Sequence, residues 1–154
     1  MRLSIQGIAT EECERIWAGQ PDANGQPALA RMAEGHGNPC RHCLGLIAEG
    51  ETMLVLAYRP FATLHPYAET GPIFLHAHRC AHYRDDDLPP WMRYLNPAIV
   101  RGYDDDDWIR YETGKVVRGP DLSSVCTEIL SNAAVSYVHI RSRFNCFQCR
   151  VDRG

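Results

Sequence analysis

Cysteine and histidine side chains, which bind zinc readily, are concentrated in a few short segments of this chain. Two segments contain a pair of cysteines separated by two residues, Cys40 with Cys43 and Cys146 with Cys149. Pairs with this spacing hold structural zinc in many proteins, because both thiolates of a pair can reach one ion. The two pairs are therefore the first candidate ligands.

The second pair fits this chemistry less well than the first. A strand is predicted over residues 146–151, and side chains alternate between the two faces of a strand. Cys149 then shares an apolar face with Phe147 and Val151, whereas Cys146 lies on the other face. Only a bulge or a turn would bring both thiols to one ion. We therefore expect Cys149 in the hydrophobic core, which argues against a four-cysteine zinc site.

A third group of candidate ligands lies in a strand predicted over residues 71–79 and just beyond its end. Because side chains alternate along a strand, we expect His76, His78 and Cys80 on the same face. Imidazole and thiolate groups at this spacing can converge on one ion. The alternative is a row of ordinary hydrogen-bonded histidines at the edge of a sheet.

The last two predicted strands, 136–141 and 146–151, are joined by four residues and form a hairpin. A regular register pairs Arg141 with Cys146 and His139 with Gln148. The less apolar face of the hairpin then carries Tyr137, His139, Arg141, Cys146, Gln148 and Arg150. Positively charged neighbours lower the pKa of a thiol and make it a better nucleophile or ligand. The alternative is a solvated sheet face with one incidental cysteine.

A set of short strands and helices must position these side chains. Strands are predicted over residues 3–8, 44–48, 52–61, 71–79, 98–103, 108–112, 136–141 and 146–151. Helices are predicted over residues 11–18, with Thr10 as N-cap, over residues 28–34, and after Asp121, where Leu122, Val125, Cys126, Ile129 and Leu130 recur at helical spacing. Segments 44–48 and 52–61 are expected to form a hairpin, the second of them being a central strand. This order predicts an α+β fold: a mixed or mainly antiparallel sheet with helices packed on one side, in a single domain over residues 1–154.

Composition excludes several classes of protein. The 154 residues include 16 Lys and Arg against 19 Asp and Glu, so there is no basic excess, and we expect no nucleic-acid partner. No apolar run approaches the roughly 18 residues of a membrane span, so we expect no membrane partner. The first ten residues lack the apolar stretch of a signal peptide, and the seven cysteines are an odd number. Together these features predict a cytoplasmic protein whose cysteines stay reduced or bind metal.

Several short segments spread over nearly the whole chain form a recognisable set. They are Pro39-Cys40-Arg41-His42-Cys43-Leu44, Tyr58-Arg59-Pro60-Phe61, Pro66-Tyr67, Gly71-Pro72-Ile73-Phe74-Leu75-His76-Ala77, Arg101-Gly102-Tyr103, Val138-His139-Ile140-Arg141, Cys146-Phe147 and Val151-Asp152-Arg153. This set resembles the bacterial family known as domain of unknown function 1203. The resemblance implies a compact domain of about this length with no established activity, substrate or cofactor. It also implies that the recurring positions of the family correspond to Cys40, Arg41, Tyr67, Gly71, Pro72, Arg101, His139 and Cys146, whereas Cys43, His76 and Cys80 belong to a subgroup.

The favoured hypothesis is a small cytoplasmic protein with a zinc-like metal site, because cysteine and histidine are concentrated so closely. The predicted ligands are Cys40, Cys43, His76 and Cys80, with His139 and Cys146 as substitutes or as outer partners.

Two other functions remain open. One is a thiol-dependent enzyme in which Cys40 or Cys146 is the nucleophile and His139 the base, with Arg41 or Arg101 binding a small anionic substrate. The other is a non-catalytic sensor or interaction module. Its pocket would be built around Tyr67, Arg101 and the Gly71-Pro72 turn. The sequence does not decide whether Cys40 and Cys146 are close in space.

Overall fold

A computed structural model describes all 154 residues, which divide into two compact units. The six-stranded unit comprises Met1–Gln6, His65–Tyr67 and Arg84–Gly154, and the three-stranded unit comprises Gly7–Leu64 and Ala68–Tyr83. Each unit contains one antiparallel sheet and one α-helix, which confirms the predicted α+β, mainly antiparallel class. That the whole chain folds as a single domain stays a prediction. No helix is long and apolar enough to cross a membrane.

Nine strands and two α-helices make up the chain. The strands are β1 (Leu3–Gln6), β2 (Leu29–Met32), β3 (Thr52–Tyr58), β4 (Gly71–His76), β5 (Arg84–Asp85), β6 (Ala98–Tyr103), β7 (Ile109–Val117), β8 (Tyr137–Ser142) and β9 (Phe147–Arg153). The helices are α1 (Thr10–Trp17) and α2 (Leu122–Leu130), and two 3-10 turns span Pro90–Tyr94 and Gly119–Asp121.

The six-stranded unit has the strand order β5-β1-β9-β8-β6-β7. Strands β6 and β7 form an antiparallel hairpin, and the acidic residues 104–107 lie in its connection. Helix α2 packs on β6 and β8 and buries Leu122, Cys126, Ile129 and Leu130, as its apolar spacing predicts. At the other edge β1 pairs with β5, with Gln6 opposite Arg84. Gly7 directly follows β1, and Tyr83 directly precedes β5. The Gly7 N–H donates to the carbonyl of Tyr83 over 3.0 Å.

The hairpin of β8 and β9 has a different register from the predicted one. Arg141 lies opposite Phe147 instead of Cys146, and a bulge then places His139 opposite Arg150 instead of Gln148. The turn explains the shift, because Asn145 has a left-handed φ of 65° and the Ser142 N–H donates to the Cys146 carbonyl over 2.9 Å. The connection is therefore a three-residue loop, which such a left-handed residue favours. All six residues of β8 are buried, so the alternative of a solvated sheet face does not hold for this strand.

The three-stranded unit has the order β2-β3-β4, and the centre of its sheet is β3, as predicted. The helix predicted over residues 28–34 is wrong. The segment instead forms the edge strand β2, with Leu29 opposite Val55. Its residues favour a helix by intrinsic propensity, but a segment this short gains more from pairing with β3 than from one isolated helical turn.

The strand predicted over residues 44–48 is also wrong. Only an isolated bridge between Pro39 and Leu46 forms there, and Leu44 has a left-handed φ of 51° that breaks an extended strand. Helix α1 buries Cys13 as predicted, but its N-cap is Ala9 instead of Thr10. The Thr10 hydroxyl does not cap the helix because it bonds to His42, at 2.9 Å from Nε2.

Candidate metal centre

The four predicted metal ligands lie together in the three-stranded unit. The Sγ atoms of Cys40, Cys43 and Cys80 and a ring nitrogen of His76 are all within 4.8 Å of one another. They come from a tight turn, from the last residue of β4, and from the irregular segment after β4. Three thiols and one imidazole are thus positioned like the ligands of a zinc site.

The turn that carries Cys40 and Cys43 is held by its main chain. The Cys40 N–H donates to the Gly45 carbonyl over 2.9 Å, and the left-handed Leu44 reverses the chain between them. On the other side, the Arg41 N–H donates to the Phe74 carbonyl over 3.0 Å, which fixes the turn beside β4. These bonds bring the two thiols of the turn to the end of β4, where His76 lies.

Two distances match the tetrahedral geometry of zinc. With Zn–S of about 2.3 Å and Zn–N of about 2.05 Å, a tetrahedron separates two sulfurs by about 3.8 Å and a sulfur from a nitrogen by about 3.6 Å. Cys40 Sγ lies 3.8 Å from Cys80 Sγ. Cys43 Sγ lies 3.5 Å from Nδ1 of His76. The remaining pairs of ligand atoms all lie within 4.8 Å of one another.

Cys80 reaches the group by a different route from the predicted one. Strand alternation was expected to align His76, His78 and Cys80, but β4 ends at His76. The chain then bends, which leaves His78 exposed with its ring centroid 5.6 Å from that of His76. The bend returns Cys80 to the other ligands. Cys80 therefore joins the group, although the predicted reason for its position is wrong.

The three thiols differ in how readily they lose a proton. The pKa of Cys40 is lowered to about 4, because a hydrogen bond from the Cys43 thiol and the backbone N–H groups of Cys43, His76 and His42 stabilise its thiolate against the effect of burial. The shared hydrogen bond with Cys40, together with burial, raises the pKa of Cys43. Burial and the neighbouring Cys40 raise the pKa of Cys80 to about 11. Near neutral pH the centre therefore holds one thiolate and two thiols.

His42 is a neighbour of the centre that sequence reasoning missed. Its Nδ1 lies 3.2 Å from Cys80 Sγ, and its Nε2 bonds to the hydroxyl of Thr10. Burial, followed by the nearby His82, lowers the pKa of His42, so the ring is neutral and carries one proton. When Cys80 is a thiolate, Nδ1–H donates to it and Thr10 donates to Nε2. The only sequence signal for this role is the position of His42 between the two cysteines of the turn.

Three further side chains surround the candidate metal centre: Trp17, Glu51 and Cys13. The Trp17 indole N–H donates to the main-chain carbonyl of His76 over 2.8 Å, and its ring stands perpendicular to that of His42 at 5.4 Å. A carboxylate oxygen of Glu51 lies 3.8 Å from His76 Nε2, the nitrogen that faces away from the ligand group. Carboxylates in this position orient metal-binding histidines. Cys13 is fully buried, and burial followed by the neighbouring Cys40 and Cys80 raises its pKa.

The predicted substrate-binding residues lie in different surroundings. Arg41 is buried, donates to the Pro39 carbonyl over 2.6 Å, and lies over the Phe74 ring. Arg101 donates to the side chain of Asn145 over 3.0 Å. Tyr67 belongs to an aromatic group with Trp108 and Tyr111, with its hydroxyl 3.1 Å from that of Tyr111. Anion binding by these residues stays a prediction.

The predicted catalytic residues belong to both units. Cys40 lies in the three-stranded unit, and His139 and Cys146 lie in the six-stranded unit. His139 is buried against the rings of Tyr103 and Phe147, and burial together with nearby arginines lowers its pKa well below the ordinary value. Cys146 is half-buried at the start of β9. A catalytic site made of these residues stays a prediction.

Comparison with known proteins adds one match. The family model described as "Protein of unknown function (DUF1203)" matches residues 37–153, a range that includes all four ligands of the candidate centre. Neither the comparison with curated proteins nor the one with solved structures gives a match.

Proposed function

Because the chain belongs to the DUF1203 family, whose function is unknown, we propose its function from the site itself: Cys40, Cys43, His76 and Cys80 bind one zinc ion. The ion is structural, since four protein ligands fill a tetrahedral site and leave no open position for a substrate. The observation that carries the proposal is the close match of the S–S and S–N separations to a zinc tetrahedron.

The ligand types favour zinc among the common metals. Thiolate and imidazole ligands in a tetrahedral arrangement select zinc or iron–sulfur chemistry, whereas calcium and magnesium require oxygen ligands. A single ion is favoured over a cluster of several irons, because all four ligand atoms lie within 4.8 Å of one another. A cluster would push its ligands further apart.

The proposed ion contributes to the stability of the three-stranded unit. It joins the turn at Cys40 to segments that follow it by more than thirty residues. Closing such long loops costs conformational entropy, which the metal–ligand bonds offset. Because the ligands are brought together only in the folded chain, the free energy of metal binding is also free energy of folding. The same need for reduced thiols supports our proposal that the protein works in the cytoplasm.

A thiol enzyme with Cys40 as its nucleophile is less well supported. The low pKa of Cys40 suits a nucleophile, but the residue has 0% exposure. A nucleophile must touch its substrate, whereas a ligand of a structural ion is shielded from solvent. The backbone N–H groups that help to lower this pKa can also donate to a metal-bound thiolate, whereas the bond from the Cys43 thiol is lost when Cys43 binds the ion.

Elemental analysis of untagged protein purified without chelator tests the proposal. We expect about one zinc per chain, and a loss of that zinc when His76 is replaced by Ala. His78→Ala is the matched control, because this neighbouring histidine is exposed and lies outside the ligand group. Wild-type protein that takes up no zinc after reduction and reconstitution would contradict the proposal.

A further inference from the structure

A second feature of the three-stranded unit is a cavity of about 410 Å³ beside α1. One wall is a face of α1 formed by Glu12, Arg15 and Ile16, and another is the end of β3 with the segment that follows it. This volume lies in the range of small-molecule sites, roughly 300 to 1,000 Å³. None of the four proposed zinc ligands lines the cavity, so it is separate from the metal centre.

Two guanidinium groups line the cavity wall; neither forms a direct ion pair, and Arg15 interacts electrostatically with the Glu12 carboxylate. Arg59 uses its Nε to donate to the Phe61 carbonyl over 3.3 Å, and its terminal nitrogens form no ion pair. Arg15 forms no hydrogen bond or direct ion pair. Five arginines elsewhere in the chain do pair with carboxylates, as Arg79 does with Glu14. The cavity therefore offers two cationic groups suited to bind a carboxylate with paired hydrogen bonds.

An acidic group faces the same cavity. The Tyr58 hydroxyl lies 3.5 Å from Oε2 of Glu12, which is one turn before Arg15 on the same face of α1. A second carboxylate, that of Asp22, is already occupied, because it accepts the backbone N–H groups of Asn24, Gln26 and Ala57. The cavity thus presents two guanidinium groups and one carboxylate, that of Glu12, which contacts Tyr58 and interacts electrostatically with Arg15.

We propose that this cavity binds a free α-amino acid. Arg15 and Arg59 bind its carboxylate, and Glu12 binds its ammonium group. A simple anion would be repelled by Glu12, and a simple cation by the two arginines, whereas a zwitterion satisfies both signs. An apolar wall surrounds an uncharged side chain of the ligand and is formed by Ile16, Leu56 and Phe61.

This proposal gives a role to a sequence segment that the metal centre does not use. Tyr58-Arg59-Pro60-Phe61 is one of the segments that carry the family resemblance, and three of its residues line the cavity. Helix α1 connects the cavity and the metal centre, because Glu12 and Arg15 face the cavity while Trp17 bonds to His76. The inference goes beyond the proposed zinc site and does not depend on it.

Isothermal titration of the protein as purified, against the twenty common amino acids one at a time, tests the proposal. We expect binding of at least one amino acid with an apolar or small side chain. We expect Arg59→Gln to weaken that binding at least tenfold and Arg59→Lys to weaken it less. Arg31→Gln is the matched control, because Arg31 is exposed on β2 and bonds only to the carbonyl of Ala30.

The N-acetyl and methyl ester derivatives of the bound amino acid serve as further probes. We expect both to bind at least tenfold more weakly, since each removes one of the two charges. Absence of binding by all twenty amino acids, equal binding of the N-acetyl form, or unchanged binding by Arg59→Gln would each overturn the proposal. Metal content is measured in every sample. Zinc without amino-acid binding overturns this inference alone, whereas binding without zinc overturns only the proposed metal function.

Discussion

The sulfur atoms of Cys40 and Cys80 lie 3.8 Å apart, although forty residues separate them in the sequence. The distance is almost twice that of a disulfide bond, about 2.05 Å, and equals the separation of two thiolates on one zinc ion. Both cysteines are free. Measurements of zinc binding can test whether these two sulfurs share an ion.

The affinity for zinc should rise steeply with pH. Near neutral pH Cys40 is already a thiolate, whereas Cys43 and Cys80 hold protons because their pKa values are raised. Binding therefore displaces two protons, and we expect about a hundredfold increase in affinity per pH unit between pH 6 and 8. Competition with a chromogenic chelator measures the affinity for zinc at each pH. An affinity independent of pH would contradict this assignment of protons.

His42→Ala should weaken zinc binding without abolishing it. The substitution removes the hydrogen bond to Cys80 Sγ and leaves all four ligands in place. Loss of such an outer partner typically costs about 10- to 100-fold in affinity. The same chelator competition measures the change, with His78→Ala as control. Complete loss of zinc would mean that His42 is itself a ligand.

Removal of zinc should change the fluorescence of one tryptophan. Trp17 bonds to the carbonyl of His76 and contacts the His42 ring, so we expect its emission to shift when a chelator strips the ion. The shift should disappear in Trp17→Phe and persist in Trp108→Phe. Trp108 is the control because it lies in the six-stranded unit. Persistence of the full shift in Trp17→Phe would contradict the prediction.

Gly7→Ala should disrupt the metal centre from outside the ligand set. A Cβ atom at Gly7 would overlap the carbonyl oxygen of His42 and crowd that of Arg41, both in the turn that carries two ligands. Backbone cannot yield as a flexible side chain does, so we expect a loss of about 2–4 kcal/mol in the free energy of unfolding and weaker retention of zinc.

Gly37→Ala is the control for that substitution, because no atom lies within 4 Å of a Cβ built at Gly37. Denaturant unfolding gives the free-energy change, and elemental analysis gives the zinc content. Equal stability of the two variants would show that the turn can move away from Gly7.

Local patterns in the sequence predict the elements whose residues interact mainly with near neighbours. The apolar spacing of Leu122, Cys126 and Ile129 predicts α2, and the acidic run between two apolar segments predicts the hairpin of β6 and β7. The grouping of Cys40, Cys43, His76 and Cys80 is also predictable, because cysteine and histidine recur there at short spacings that are typical of metal sites.

The features that sequence patterns did not predict depend on contacts between distant residues or on single backbone angles. Strand β2 exists because β3 pairs with it, against its own helical propensity. The register of β8 and β9 depends on one left-handed residue, Asn145. The role of His42 depends on Thr10, which lies 32 positions away. No pattern within a short window encodes such relationships.

The two ends of the segment between β1 and β5, which contains the candidate metal centre, meet at Gly7: its N–H donates to the Tyr83 carbonyl, and its carbonyl oxygen lies 3.0 Å from Nε2 of His82. Strands β1 and β5, which flank that segment, are already paired as neighbours in the six-stranded sheet. The segment therefore leaves the six-stranded sheet and returns to it at adjacent positions, and only His65–Tyr67 within it belongs to the six-stranded unit. A segment whose ends return to neighbouring strands can change in length without altering the pairing of β1 with β5.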